Sequence, residues 1–243
     1  MNGLLQSVKE NVVFCLVFLG IIAGMFVLAY VVELAFKKKN GDTEKMLSTR
    51  KMAMVGVFSA TAVVLYVLDF PVPFAPPFYK LDFSEIPVLV GSFAFGPVAG
   101  VMIEFVKILL KLLLKGTDTA FVGDLANFMV GCSFILPASF LYQFKKSKKN
   151  AILGCITGTL VMTVFGTAFN AVYLIPTFAK LYGMPLDVII AMGTKIHASI
   201  DNVVSLVVMC VAPLNLVKGT SVSLITVLVY KKLSPILKSG VRR

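Results

Sequence analysis

A lysine and an asparagine near the carboxyl end are the residues whose types and spacing point to chemistry. Asn215 and Lys218 lie between two apolar segments, 203–211 and 222–229. Residues three apart share one face of a helix, so both side chains aim at the same place. An ammonium at membrane depth is costly unless it has a partner, which makes such a group a functional candidate. We therefore predict that this pair faces a binding site.

Other polar residues are expected at the same depth. Lys80 lies in a proline-rich stretch, Asn127 opens a later span, and Asn170 lies near the end of the following span. A single asparagine in a membrane helix more often bonds a neighbouring helix than a ligand, and Lys218 alone could snorkel to the interface. Convergence of several segments favours a joint site instead. The polar residues that this topology brings to the outer half of the bundle are Lys80, Asp82, Glu85, Asp124, Asn127, Asn170, Asn215 and Lys218.

The composition indicates the elements that position these residues. The chain has 243 residues, 58% of them hydrophobic, with a mean hydropathy of +0.92. Several apolar stretches reach the roughly 20 residues that a helix needs to cross a hydrocarbon core of about 30 Å. The prediction is an all-α polytopic protein of the cell membrane.

The net charge of +11 is explained by topology rather than by nucleic-acid binding. Fifteen of the 23 basic residues fall in two short loops and the tail, which can all lie on the cytoplasmic side, as the positive-inside rule requires. These residues are Lys37, Lys38, Lys39, Lys45, Arg50, Lys51, Lys145, Lys146, Lys148, Lys149, Lys231, Lys232, Lys238, Arg242 and Arg243.

The order of apolar runs predicts six core helices preceded by one additional helix. The first run, 12–36, has its basic cluster behind it, so we predict a retained span with the N-terminus outside and the C-terminus cytoplasmic. Residues 1–49 are predicted to form this added helix and its basic linker, and residues 50–243 the six-helix substrate-binding membrane domain. The core runs are 52–68, 84–95, 98–114, 123–144, 151–175 and 214–230, with a short outer helix within 176–212.

Several residues invite rival interpretations. Glu104 and Lys107 have the spacing of an i,i+3 ion pair, whereas Lys111 and Lys115 are expected to snorkel to the interface. The small residues Gly56 and Ala60 could pack within the bundle or dock a separate membrane subunit. The four cysteines have no metal-ligand spacing, and His197 is the only histidine, so a histidine-based metal site and a catalytic dyad with a second histidine are excluded. The chain also has no G-x-S-x-G or H-E-x-x-H sequence, and the prediction is a protein without a metal, a cofactor or enzymatic activity.

From about Arg50 to Lys232 the chain resembles a known family, the riboflavin-specific S component of energy-coupling factor (ECF) transporters. The S component is the vitamin-binding membrane subunit. The motifs that carry the resemblance are Phe70-Pro71-Val72-Pro73, Pro76-Pro77-Phe78-Tyr79-Lys80-Leu81-Asp82-Phe83-Ser84-Glu85-Ile86-Pro87, Phe95-Gly96-Pro97-Val98-Ala99-Gly100, Ala126-Asn127-Phe128, Asn170-Ala171-Val172-Tyr173-Leu174-Ile175-Pro176 and Pro213-Leu214-Asn215-Leu216-Val217-Lys218-Gly219.

The resemblance implies a six-helix bundle that captures riboflavin at the outer face, beneath the proline-rich loop, and delivers it inward. By motif, Asn170, Asn215 and Lys218 correspond to polar contacts with the vitamin, Lys80 lies beside the ring system, and Asn127 is a further member. The residues expected to gate the site are Asp69, Pro71, Pro73, Pro76, Pro77 and Asp82.

The resemblance also implies partners, namely a transmembrane coupling subunit and two ATPases. The chain has no G-x-x-x-x-G-K-[ST] sequence of its own for nucleotide phosphates. The coupling subunit is expected to dock at the face of Gly56 and Ala60, although alanine is usual where Gly56 stands. The helix at 12–36 departs from the six-helix pattern and has no assigned role.

Riboflavin suits the residue types present. Its sugar-alcohol hydroxyls both donate and accept hydrogen bonds, as asparagine amides do, and lysine donates. Its flat ring system needs aromatic walls, for which the candidates are Phe70, Phe74, Phe78, Tyr79, Phe128 and Tyr173.

Three alternatives stay open at this point. The chain could be an S component for another vitamin or a flavin nucleotide. It could be a stand-alone secondary transporter, with Glu104 as its coupling-ion carboxylate. It could also be a membrane enzyme in which Asp82 and Glu85 act as an acid/base pair.

Overall fold

The structure is a computed structural model that describes residues 12–41, 45–117, 119 and 121–238. The predicted tail residues Arg242 and Arg243 lie outside the described residues. Helices dominate the described part, and five of them are long and apolar enough to cross a membrane. These are Leu16–Asn40, Thr49–Val67, Val122–Phe144, Lys148–Leu181 and Val203–Leu233. The prediction of a polytopic helical membrane protein is confirmed.

The elements follow one another in this order. Helices α1 (Val12–Asn40) and α2 (Thr49–Val67) precede a hairpin of two short strands, β1 (Phe70–Pro71) and β2 (Lys80–Leu81). Next come α3 (Glu85–Phe95), α4 (Pro97–Lys115), α5 (Val122–Phe144), α6 (Lys148–Phe169), α7 (Ile175–Leu181), α8 (Leu186–Thr194), α9 (Val203–Leu206) and α10 (Ala212–Lys238). Helix α8 is the short helix expected within 176–212.

The proline-rich loop contains a short antiparallel hairpin. Phe70 pairs with Leu81 and Pro71 with Lys80. Each strand has only two residues, since proline has no amide hydrogen to extend the ladder. Apolar contacts hold the hairpin in place, because Tyr79 and Leu81 belong to a buried cluster with residues of α8, α9 and the segment 207–211.

Two long helices each contain a five-residue π-helical turn shortly before a proline. Asn170–Leu174 joins α6 to α7, ahead of Pro176, and Val207–Val211 joins α9 to α10, ahead of Pro213. A proline in a helix clashes with the carbonyl four residues earlier, and a π turn widens the helix at that point. The predicted boundaries at 175 and 214 are therefore wrong. The first helix continues to Leu181 and the second begins at Val203.

Helix α1 is attached to the bundle by both apolar packing and a buried carboxylate. Ile22 and Ala29 share a buried cluster with residues of α4 and α5. Glu33, only 5% exposed, accepts a hydrogen bond from the Val98 amide at 3.0 Å and so caps the start of α4. The preceding Gly96 has a φ of 105°, and a Cβ there would meet the Glu33 carboxylate. This break separates α3 from α4.

The small-residue pair that brings helices together is not the predicted one. A Cβ at Gly154 or Gly158 of α6 would lie 2.5 Å from a carbonyl oxygen of α5, so these glycines permit close packing. Gly56 and Ala60 of α2 are instead exposed, with nothing within 4 Å of a Cβ at Gly56. The interpretation of this face as packing within the bundle is therefore wrong.

Candidate functional site

One cavity of about 380 Å³ lies at the end of the bundle that carries the hairpin. Its wall combines the hairpin, the last turns of α4, the first turns of α5, the π turn at Asn170–Leu174 and the start of α10. The structure brings all five predicted site residues to this wall. They are Lys80, Asn127, Asn170, Asn215 and Lys218.

The two buried asparagines differ in the hydrogen bonds that their side chains make. Asn170 is positioned on both sides, because its Oδ1 accepts from the Tyr79 hydroxyl at 2.9 Å and its Nδ2 donates to the Gly166 carbonyl at 2.7 Å. Asn215 is 6% exposed, and its Nδ2 has no hydrogen-bond partner among the described residues. An unpaired buried amide is costly, so Asn215 presents a donor for a bound molecule.

Lys218 points inward and is held by carboxylates. Its Nζ donates to Asp82 Oδ2 at 2.8 Å and lies 3.8 Å from Glu85 Oε1. The alternative that Lys218 snorkels to the interface is therefore wrong. Burial alone would raise the pKa of the Asp82 carboxyl, but the neighbouring ammoniums of Lys218 and Lys107 lower it below its ordinary value. Asp82 thus remains ionised at neutral pH.

A second buried ammonium lies next to this pair. Lys107 Nζ lies 2.6 Å from Glu104 Oε1, 2.9 Å from Glu85 Oε1 and 3.2 Å from Ser84 Oγ. The predicted i,i+3 pair of Glu104 and Lys107 is present. Sequence reasoning missed Glu85 as its second carboxylate, because only the packing of α3 against α4 brings these groups together. With Asp82 and Lys218, these residues form what we call the buried charge network.

Three further lysines lie at the cavity wall and also face carboxylates. Lys111 Nζ donates to Asp124 Oδ1 at 2.7 Å and is only 13% exposed, so the prediction that Lys111 snorkels to the interface is wrong. Lys80 and Lys115, each about two-fifths exposed, lie 3.3 and 3.6 Å from the carboxylate of Asp69. Asp69 thereby ties β2 to the end of α4.

The predicted gating residues occupy the hairpin segment, residues 69–83. Asp69, Phe78, Tyr79, Lys80 and Asp82 of this segment line the cavity. The gating prolines Pro71, Pro73, Pro76 and Pro77 shape the hairpin and do not line the cavity. Tyr79 is 8% exposed, and burial raises the pKa of its hydroxyl, which therefore stays protonated and donates to Asn170.

The aromatic wall differs from the prediction. Of the six candidates, Phe78 and Tyr79 line the cavity, and Tyr66, Phe178 and Tyr182 join them. Phe70, Phe74, Phe128 and Tyr173 do not line it. Phe70 lies near Phe83, Phe74 packs against the hairpin cluster, Phe128 lies near Phe105, and Tyr173 stacks on Phe169. Proximity in sequence to one end of a helix does not determine which face a ring occupies.

Asp82 and Glu85 are not arranged as the acid/base pair that the membrane-enzyme alternative requires. Asp82 bonds Lys218, and Glu85 bonds Lys107. Carboxylates committed to ammoniums in this way are poor proton acceptors for a substrate. The arrangement provides hydrogen-bond donors, fixed charges and aromatic rings around a cavity.

Apolar helices around an internal polar cavity define a membrane protein with a cavity of small-molecule size within its bundle. Residues 50–230 match the family model described as ECF transporter, substrate-specific component, and the chain belongs to this family. Helix α1 lies outside the matched residues.

Named relatives and a solved structure agree with this family. The riboflavin transporter RibU of Staphylococcus aureus (strain TCH60) is 37% identical over 194 residues, which cover 79% of this chain and 95% of that protein. The riboflavin transporter FmnP of Bacillus subtilis (strain 168) is 30% identical over 190 residues, covering 78% and 94%. A solved structure reported as "Structure and mechanism of the S component of a bacterial ECF transporter" has 36% identity and a TM-score of 0.60, covering 78% and 98%.

Proposed function

We propose that this chain is the riboflavin-binding S component of an ECF-type vitamin uptake transporter. The observation that carries the proposal is the convergence of Lys80, Asn127, Asn170, Asn215 and Lys218 on one cavity. The similarity to proteins named riboflavin transporters supplies the ligand. The chain contributes binding and not catalysis.

The cavity suits riboflavin in size and in chemistry. Its volume of about 380 Å³ lies within the roughly 300–1,000 Å³ typical of small-molecule sites. The rings of Phe78, Tyr79 and Phe178 offer walls for the flat tricycle. The free donor of Asn215 and the ammonium of Lys218 can bond ring or hydroxyl oxygens.

The hairpin segment is proposed to gate the cavity. Asp69 and Asp82 attach it to the bundle through Lys115 and Lys218, and both attachments are ion pairs. Opening would break both ion pairs, the apolar contacts of Tyr79 and Leu81 with their buried cluster and the hydrogen bond from Tyr79 to Asn170, while the long helices stay packed. In this proposal the hairpin end faces outward, and the cytoplasmic side carries the basic linker and tail.

The remaining topology and the partners belong to the same proposal. We propose that α2, α3, α4, α5, the continuous helix 148–181 and the continuous helix 203–238 are the six core helices, and that α1 is an additional span with its N-terminus outside. The exposed face of Gly56 and Ala60 is proposed to dock the transmembrane coupling subunit, since small residues let helix backbones approach closely. Two ATPases bound to that subunit would drive inward release.

A spectrum of the detergent-purified protein tests the ligand. The expected result is co-purified flavin absorbance, or saturable quenching of riboflavin fluorescence after the bound flavin is removed. Thiamine and biotin at the same concentrations serve as controls and are expected not to compete. Protein that is folded by size-exclusion chromatography, yet neither contains nor binds riboflavin, would refute the proposal.

A further inference from the structure

The charges that line the cavity balance one another. Four carboxylates and four ammoniums lie at its wall among the described residues, and each of these lysines lies within 4 Å of one of these carboxylates. The carboxylates are Asp69, Asp82, Glu85 and Asp124, and the ammoniums are Lys80, Lys111, Lys115 and Lys218. The wall therefore offers charged hydrogen-bonding groups without a net charge.

Asp82 holds the least exposed of these lysines. Its side chain is almost fully buried, with one oxygen 2.8 Å from Lys218 Nζ. The other oxygen accepts from both the amide and the hydroxyl of Ser84, at 2.9 and 2.5 Å. Because both oxygens are engaged, the carboxylate cannot turn away, and it fixes where the Lys218 ammonium lies on the cavity wall.

We propose that Asp82 is a positioning and specificity-determining residue. It holds the Lys218 ammonium in place and cancels its charge, so that the cavity takes an uncharged, hydroxyl-rich ligand in preference to the phosphorylated form of that ligand. This inference rests on the proposed function, because it concerns the same cavity and Lys218 as a ligand contact.

The preference follows from what each kind of ligand does to the ion pair. A lysine ammonium has three donors, and Asp82 uses one, so a neutral hydroxyl or carbonyl oxygen can accept another without displacing the carboxylate. A phosphate gains little at a wall that is already neutral. To capture the ammonium for itself it must displace Asp82, which leaves a buried carboxylate without a partner, and that is strongly unfavourable.

The test measures binding of riboflavin and of riboflavin 5′-phosphate to the full chain in detergent, by quenching of flavin fluorescence. The quantity of interest is the ratio of the two dissociation constants. Asp82→Asn keeps the shape and removes the charge, and it is expected to shift the ratio about tenfold toward the phosphate, as one added unit charge in a partly hydrated interior would do. Asp82→Glu keeps the charge and is expected to leave the ratio near that of the wild type.

Lys218→Gln is a second test variant, in which the ratio of dissociation constants is expected to shift in the opposite direction. It leaves the Asp82 charge uncompensated, so the ratio is expected to shift about tenfold away from the phosphate. The double variant with Asp82→Asn restores neutrality, and its ratio is expected to return toward that of the wild type, although both ligands bind more weakly. Asp187→Asn, at an exposed carboxylate that does not line the cavity, is the matched control and is expected to change neither constant.

The outcomes separate this inference from the proposed function. Wild-type protein that binds neither flavin would refute the proposed function. Wild-type protein that binds riboflavin, with an unchanged ratio in folded Asp82→Asn and Lys218→Gln, would overturn the inference alone. If Asp82→Asn does not fold, the double variant is compared with Lys218→Gln, and equal ratios in the two would overturn the inference. An equal shift in Asp187→Asn would show that overall charge, and not Asp82, sets the preference.

Discussion

Replacing Lys107 with methionine tests the buried charge network in the most demanding way. The Lys107 side chain is fully buried, and its ammonium lies within 3.2 Å of Glu85, Glu104 and Ser84. Methionine fills similar space without a charge, so the change leaves two carboxylates in the interior without their shared partner. Removing one member of a buried ion pair costs about 3–5 kcal/mol, which is a large part of the total stability of a typical domain. We expect Lys107→Met to lower the free energy of unfolding by this amount.

The assay is unfolding of the detergent-purified protein, followed by melting temperature and by denaturant titration. Lys115→Met is the matched control. It also removes an ammonium from α4, but its carboxylate partner Asp69 is 21% exposed and keeps Lys80, so a smaller loss is expected. Adding Glu104→Gln to Lys107→Met should recover part of the stability, because one of the two buried carboxyl groups left without Lys107 is then replaced by an amide. Lys107→Met protein within about 1 kcal/mol of the wild type would refute the assignment of these charges.

Three other predictions concern the site, the added helix and the small-residue faces. Asn215→Ala or Lys218→Ala should weaken riboflavin binding by roughly 1–3 kcal/mol each, and wild-type affinity in a titration would remove that residue from the site. Glu33→Ala should lower the unfolding free energy by about 0.5–2 kcal/mol through loss of the α4 cap, so an unchanged melting temperature would contradict the cap. Gly158→Leu should prevent folding, since its side chain would meet a carbonyl of α5. Gly56→Leu should fold and bind riboflavin but abolish ATP-driven uptake in cells, and normal uptake would argue against docking at that face.

The sequence by itself determined the membrane class, most helix positions and several of the polar residues at the cavity, but it did not place Lys111 or Lys115 there. Apolar runs of membrane length must become helices, because backbone groups in lipid have to bond within their own segment. Asn215 and Lys218 had to share a face because of their spacing alone. The order of motifs along 50–230 was sufficient to indicate the family.

Only the tertiary structure decided which charges meet. Glu85 and Lys107, or Lys218 and Asp82, lie far apart in the chain, and no periodicity connects them. From its position in the sequence Lys111 is expected to snorkel to the interface, yet Asp124 of another helix holds it at the cavity wall. Only the tertiary structure shows which aromatic rings line the cavity and that Gly56 is exposed. Spacing fixes the face of a helix, but the partner of that face depends on how all the helices pack together.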